Sequence, residues 1–274
     1  MKTMIVIPAR YASTRLPGKP LVMIGGQTML QRVVNLSLAA ADGLKSVSVV
    51  VATDDDRIKQ HCHDLGVSVV MTHANALSGT DRVAQAVQQL SDKPDFILNM
   101  QGDAPLTPPD FLQAMIRAFI TSPCDMVTPV TQLSWDELDE LRKSKITTPF
   151  SGTTAVFDEK TGHAFWFSKM ILPAMRKEES LRQEGGKSPV FRHIGLYGYS
   201  MRMLETYHTL PESKFEHLEG LEQLRLLEHG YTIRCVPVDF AGRANMSGVD
   251  SPEDVLRAEA LIAKHGELLE RSRA

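Results

Sequence analysis

Through its first half the chain alternates short, continuously apolar runs with amphipathic stretches, and that order leaves few folds open. Met4–Pro8, Val47–Ala52, Val67–Met71 and Asp95–Met100 read as strands apolar on both sides. A strand with no polar face must be covered on both faces. Between these runs, Thr28–Ala41 (apolar at Met29, Leu30, Val33, Val34, Leu36 and Leu38), Asp55–Leu65 and Thr80–Leu90 read as helices. Pro108-Pro109 opens a further helix to about Ile120, with prolines where a first turn tolerates them. The expectation is an α/β fold of three layers, a mostly parallel, mixed sheet with helices on both faces. Ligands of such sheets sit outside the carboxyl ends of the strands, so the loops there are where chemistry is expected.

The second half is less regular. Trp135–Lys145 reads as a charged helix, and Thr153–Phe157 and Ala164–Phe167 as short strands. Arg176–Ser188, charge-dense and containing Gly185-Gly186, reads as an exposed, mobile loop. Val190–Tyr199 reads as a strand, Leu218–Glu228 as a helix ending at Gly230, Tyr231–Val238 as a strand, and a last helix starts at Pro252. No linker composition or repeat interrupts the chain. A single domain is therefore expected over 1–274, with a nucleotide-binding core at 1–132, an inserted lobe at about 133–215 and a return to the core at 216–274.

With 274 residues the chain can bury a substantial core, and its net charge of −3 provides no general field for nucleic acid or an anionic membrane. Any anion site must be local. The three cysteines, Cys62, Cys124 and Cys235, are far apart and form no Cys-x-x-Cys pair, which argues against a disulfide framework and a structural zinc site. No apolar run approaches membrane-spanning length, and the first residues lead straight into a strand. No signal peptide is expected, and the expected location is cytoplasmic.

The loop after the first strand carries three cations, Arg10, Arg15 and Lys19, with the hydroxyls of Ser13 and Thr14. Polyphosphate needs cationic donors and backbone N–H groups held in fixed directions. Gly18 permits close backbone approach, and Pro17 and Pro20 limit the loop's freedom. It is not a Walker loop, because Gly-x-x-x-x-Gly-Lys-Ser/Thr is absent. A solvated basic turn is the other reading of the same residues. Thr53-Asp54-Asp55-Asp56 is accounted for as a helix N-cap. In Ser78-Gly79-Thr80-Asp81-Arg82, Arg82 falls in a first helical turn, where the macrodipole disfavours a cation. An anion or an electronegative base edge nearby would relieve this, as would a side chain leaning into water. Gln101-Gly102-Asp103 puts a carboxylate at the end of a central strand, suited to magnesium on phosphate oxygens. Magnesium takes one or two protein carboxylates, and Asp250, just before the last helix, is the candidate second acid unless it is only that helix's cap.

Pro8 to Leu21, Ala52-Thr53-Asp54, Ser78 to Arg82, Gln101-Gly102-Asp103, Arg192-His193-Ile194-Gly195-Leu196-Tyr197-Gly198-Tyr199, Leu221-Glu222-Gln223-Leu224-Arg225 and Gly248 to Asp254 follow one another in a known order. In this the chain resembles the 3-deoxy-manno-octulosonate (Kdo) cytidylyltransferases, or CMP-Kdo synthetases, over nearly its whole length. The resemblance implies a nucleotide-diphospho-sugar transferase-like fold with a small inserted dimerisation lobe, forming a homodimer. It implies that CTP and a 2-keto-3-deoxy sugar acid give a CMP-sugar and pyrophosphate for bacterial lipopolysaccharide or capsule synthesis, with Mg2+ and with neither nucleic acid nor membrane as partner. By the same resemblance Pro8, Ala9, Arg10, Ser13, Arg15, Lys19, Ser78, Gly79, Arg82 and Gln101 hold the nucleotide. Asp103 and Asp250 hold the metal, and Lys19, Arg10, Asp103 and Asp250 carry the catalysis. Gln101, His193, Tyr197, Glu222 and Gln223 line the sugar-acid pocket.

The chain departs from that family at two places. Ala104 stands where the family has glutamate after the aspartate, and Thr148-Pro149-Phe150-Ser151-Gly152 replaces an Asn-Pro-Asn segment. The stretch Arg176–Ser188 and a polar C-terminal tail lengthen the chain. Loss of an acid beside Asp103 is expected to alter charge near the sugar and metal, which opens the possibility of an amino-substituted Kdo as acceptor. A sialic-type acid as acceptor, or an inactive nucleotide-binding homologue, would also be compatible with parts of the pattern.

Overall fold

The computed structural model describes residues 1–76, 78–246 and 248–269; the last part of the polar C-terminal tail lies outside them. The chain runs β1 (Thr3–Ala9), a 3-10 turn at Lys19–Leu21, the short β2 (Met23–Ile24) and β3 (Gln27–Thr28), α1 (Met29–Ala41), β4 (Val47–Thr53), α2 (Asp56–Asp64), β5 (Ser68–Met71), α3 (Gly79–Gln88), β6 (Phe96–Asn99) and α4 (Pro109–Thr121). It continues through β7 (Met126–Gln132), α5 (Trp135–Thr147), β8 (Thr154–Phe157), β9 (Ala164–Ser168), α6 (Glu178–Glu184), β10 (Phe191–His193), β11 (Tyr197–Ser200), α7 (Met201–Tyr207), α8 (Lys214–Glu219), α9 (Gln223–Glu228), β12 (Ile233–Pro237) and α10 (Pro252–His265).

One ten-stranded sheet organises the molecule. β5, β4, β1 and β6 lie side by side and parallel, so that Ala9 and Thr53 end level with each other. β11 is inserted antiparallel between β6 and β7, and β12 adds parallel to β7. β10 continues the line of β11, pairs further along β7, and carries the β8–β9 hairpin on its other side. The sheet is thus mixed, as read from the sequence. Alternate strand residues face opposite layers. Ile5, Ile7, Phe96 and Leu98 pack with α1, α2 and α4, while Val6, Val50, Ala52 and Ile97 pack with α3, α7 and α9.

Beyond α4 the chain differs from its sequence reading in five places. Strand β7, central in the sheet, and helix α7 have no counterpart in that reading. The expected strand Val190–Tyr199 is split into β10 and β11, because the backbone turns at Ile194–Leu196, where Leu196 N–H bonds the Ile194 carbonyl at 2.7 Å. The expected helix Leu218–Glu228 is two helices, broken where Gly220 adopts φ 62°. Arg176–Ser188 is not a free loop. It contains α6, fastened to α5 by Arg142–Glu178 and Arg182–Asp139 ion pairs at 2.7 Å, with Arg182 stacked 4.4 Å above the Trp135 ring. Its charges read as solvated because their partners lie on a helix distant in sequence.

Gly198 shows how tightly the inserted strand is held. A side chain there would collide with the Phe96 ring and come within 2.8 Å of Val127 Cγ2. Overpacking of this kind costs about 1–3 kcal/mol. Gly198→Ala is therefore expected to lower the urea midpoint with little change in slope, and an unchanged midpoint would show that the sheet centre has room for a methyl group beside Phe96 and Val127.

Candidate active site

The loop after β1 is fastened before it can present charge. Leu16 and Pro20 are buried, and Leu16 joins Leu106, Met246 and Val249 in a small apolar cluster. Gly18 turns the chain at φ 66°, its N–H bonds the Tyr11 carbonyl at 3.3 Å, and any side chain would meet the Tyr11 ring. Tyr11 is in turn covered by the Arg57 guanidinium, 3.2 Å from the ring centroid. A short 3-10 turn then points Lys19 inward.

Lys19 Nζ lies 2.7 Å from Asp103 Oδ2 and 2.7 Å from Asp250 Oδ1. Asp103 follows β6, and Gly102 before it is obligatory because a side chain would strike the Pro8 carbonyl oxygen. Asp250 is brought alongside by the Val249 N–H, which donates to the Asp103 carbonyl at 2.9 Å. The cap of α10 is Ser251, in a reciprocal capping box with Asp254, so the Asp250 side chain is free of capping and turns to Lys19 and to Arg15 at 3.3 Å. Burial disfavours ionising Asp250, but the Lys19 and Arg15 cations outweigh it and hold its carboxyl below the usual range. Two carboxylates already sharing one cation form a hard-oxygen set that fits a magnesium ion completed by phosphate oxygens. Among the described residues no third acidic, histidine or cysteine ligand joins them.

These groups open onto a cavity of about 290 Å³. Its walls bring together Pro8, Ala9 and Arg10 from the end of β1, Ser13, Arg15 and Lys19 from the loop, Ser78, Gly79 and Arg82 from the start of α3, and Gln101 beside the two aspartates. Ser78 caps α3 by bonding the Asp81 N–H, with the Asp81 carboxylate returning to the Ser78 N–H. Arg82 is buried, not leaning into water. Its first-turn position is relieved from within the protein, by Asp54 at 3.2 Å and the Thr72 hydroxyl at 2.6 Å. Asp54 is released for this because Asp55 is the cap of α2. Arg10 forms no ion pair among the described residues and lies exposed on the cavity wall.

A second cavity, of about 600 Å³, shares Ser78, Gly79 and Gln101 with the first. His193, Tyr197 and Glu222 line it, as do two cations the sequence reading did not single out, Lys169 and Arg192. Their only sequence signal was position: Lys169 follows a short strand and Arg192 opens the Arg192–Tyr199 block. Burial draws down the proton affinity of both. The Thr128 hydroxyl lies 2.7 Å from His193 Nε2 and 2.7 Å from the Leu196 carbonyl. A carbonyl only accepts, so the hydroxyl proton goes there and Nε2–H donates to Thr128, leaving Nδ1 an acceptor. Burial, assisted by Lys169, pushes the His193 pKa down to about 3, so the ring is neutral. Glu222 accepts from the Thr80 hydroxyl at 2.8 Å, and burial raises its carboxyl.

Gln223 stands apart from its expected place. It is fully buried, does not line the cavity, and its Oε1 accepts from the Tyr197 hydroxyl at 3.1 Å, so it bears on the cavity through that ring. Ala104 also departs from expectation. It is buried in the apolar cluster of Phe111 and Leu196 and lines neither polar cavity. An effect of its missing charge on the sugar side therefore has no geometric support.

The sequence matches the family described as Cytidylyltransferase over residues 4–233. A 3-deoxy-manno-octulosonate cytidylyltransferase of Maricaulis maris is 44% identical over 98% of this chain and 100% of its own length. An 8-amino-3,8-dideoxy-manno-octulosonate cytidylyltransferase of Shewanella loihica is 38% identical over 96% of this chain and 99% of its own length. A solved CMP:2-keto-3-deoxy-manno-octonic acid synthetase complexed with CTP superposes with a TM-score of 0.81 at 33% identity, covering 96% of this chain and 99% of that one.

The neutral His193 gives a pH signature. In an unfolded chain a histidine takes its proton near pH 6.5, whereas burial keeps His193 unprotonated down to about pH 3. Between those values the unfolded state holds the extra proton, so stability falls as pH drops through that window. His193→Gln is expected to lose less melting temperature than the parent between about pH 7 and about pH 5. Equal losses would mean that His193 is protonated in the folded protein.

Proposed function

The chain belongs to the cytidylyltransferase family and is a nucleotidyltransferase of the 3-deoxy-manno-octulosonate-activating kind, and from that premise we propose how its two joined cavities divide the reaction. The smaller takes CTP and the larger takes the sugar acid, the anomeric hydroxyl of the acid attacking the α-phosphate in line to release pyrophosphate. The supporting observation is the Lys19 ammonium held between Asp103 and Asp250 on the wall of the smaller cavity, which adjoins the larger at Ser78, Gly79 and Gln101.

Both reactants are anions, so the enzyme's tasks are alignment and neutralisation. Arg10, Arg15 and Lys19 supply fixed positive charge to the triphosphate. Arg82, clamped by Asp54 and Thr72, and Gly79, whose missing side chain leaves room beside Gln101, shape the nucleoside end. On the acceptor side Lys169 and Arg192 face the acid's carboxylate, while His193, Tyr197 and Glu222 offer hydrogen-bonding groups to its hydroxyls. Asp103 and Asp250 would hold magnesium, which when bound supplies Lewis-acid polarisation of the phosphate and hydroxyl oxygens. Gln101, common to both cavities, orients one reactant against the other. No covalent intermediate with the protein is required.

One observation favours a second acceptor. Among the described residues Glu222 is the only carboxylate on the wall of the larger cavity, and it is the group able to meet an amino-substituted sugar of the kind named for the Shewanella relative. We further propose that the chain works as a homodimer in the cytoplasm. Ile146, Phe150 and Met170 are exposed apolar side chains on the lobe, and a second copy is the natural cover for them. No helix among the described residues is long and apolar enough to cross a membrane.

Pyrophosphate release from CTP with magnesium and 3-deoxy-manno-octulosonate tests this reading. Asp103→Asn is expected to cut turnover by at least about a hundredfold; undiminished turnover would remove the metal role of Asp103. With plain and 8-amino acceptors in competition, Glu222→Gln is expected to depress use of the amino sugar selectively if that sugar is the substrate. An equal loss with both acceptors would leave plain 3-deoxy-manno-octulosonate as the acceptor.

A further inference from the structure

The wall of the larger cavity is fastened by a residue that does not itself reach the cavity. Lys145 sits in the last turn of α5, and its Nζ lies 3.3 Å from the Pro149 carbonyl oxygen, 3.1 Å from that of Gly152 and 2.6 Å from that of Lys169, and also bonds the Ser151 carbonyl. An ammonium has three protons, so four carbonyls around it are more than it can fully serve. Lysines near a helix end ordinarily turn to the helix's own last carbonyls or to water. Lys145 instead reaches past the helix to three backbone oxygens of the following turn and one at the end of β9. That turn is bent through Gly152 at φ 66°.

The residues so gathered belong to the cavity. Phe150, Ser151 and Gly152 line it from one segment, and Lys169 from another. Among the described residues, neither Lys145 nor Lys169 nor Arg192 has a carboxylate within ion-pair distance, so three cations gather around one cavity with no acid paired to them. The carboxylate near Lys169 is Glu219, whose oxygens already accept from the Ser168 hydroxyl and the Lys169 N–H at 2.8 Å. The segment Lys145 holds is also the one where this chain carries Thr148-Pro149-Phe150-Ser151-Gly152 in place of Asn-Pro-Asn.

We propose that Lys145 is a positioning residue for the acceptor: by tying the 149–152 turn to the backbone of Lys169 it fixes both sides of the cavity, so that the acid's carboxylate meets Lys169 and Arg192 in one geometry. The inference rests on the reading that the larger cavity takes the sugar acid. It makes Lys145 act on acceptor binding alone, because the CTP cavity shares none of the residues it holds.

Steady-state kinetics of the full chain with 3-deoxy-manno-octulosonate and CTP separate the possibilities. Lys145→Met is expected to raise the acceptor KM about tenfold or more while the CTP KM stays within about twofold. Lys145→Arg, which keeps the charge and donors, is expected to recover much of the loss. If both KM values move together, or neither moves, the positioning role is overturned. Lys169→Met distinguishes failure of the underlying reading. If it raises the acceptor KM and Lys145→Met does not, only the present proposal fails. If neither variant changes the acceptor KM, the larger cavity is not the acceptor site and both fall. Should Lys145→Met fold poorly, Lys145→Gln, which retains a donor, is measured in its place against the same KM split.

Discussion

Two carboxylates close together in a protein repel unless a cation lies between them, and here that cation is Lys19. The arrangement draws on three remote parts of the chain: the end of β6, the residue before α10, and the loop after β1. Each is fixed by its own local device. Gly102 lets β6 end against the Pro8 carbonyl, the Ser251–Asp254 box leaves Asp250 out of the cap, and Leu16 with Pro20 anchors the loop. The parallel order of β4, β1 and β6 makes these devices converge, since it brings their carboxyl ends to one edge. A triphosphate with its metal would inherit a site whose opposing charges are already balanced.

The proposed acceptor side poses a different problem. A sugar acid must be drawn in by charge yet read by its hydroxyls, and a fully solvated lysine would do neither well. Lys169 and Arg192 are half-buried, His193 is kept neutral, and Thr128 sets which of its nitrogens accepts. Tyr197 is braced from behind by Gln223. The cavity's character comes from its second row of contacts as much as from the side chains that face it.

What could be read from the sequence follows from how local each signal is. The β-α order of the first half, the stiff cationic loop and the carboxylate after β6 are written in neighbouring residues, and all lie where that order implies. Arg82 was half legible. Its unfavourable place in a first turn signals a nearby anion, but Asp54 reads as part of a cap that Asp55 in fact provides alone. The rest depends on contacts between distant segments. The charges of α6 are satisfied by α5, the strand through Val190–Tyr199 is interrupted where it passes from one neighbour to another, and Gln223 faces Tyr197 and not the cavity. No periodicity records such pairings.

The central claim is that Asp103, Asp250 and the cationic loop surround one metal-bound triphosphate. A crystal of the protein grown with CTP and manganese tests it directly through the anomalous signal of the metal. The account predicts a single strong peak between the Asp103 and Asp250 carboxylates, with Lys19 and Arg10 turned to the phosphates. A peak elsewhere, or a triphosphate bound out of reach of Lys19, would contradict it.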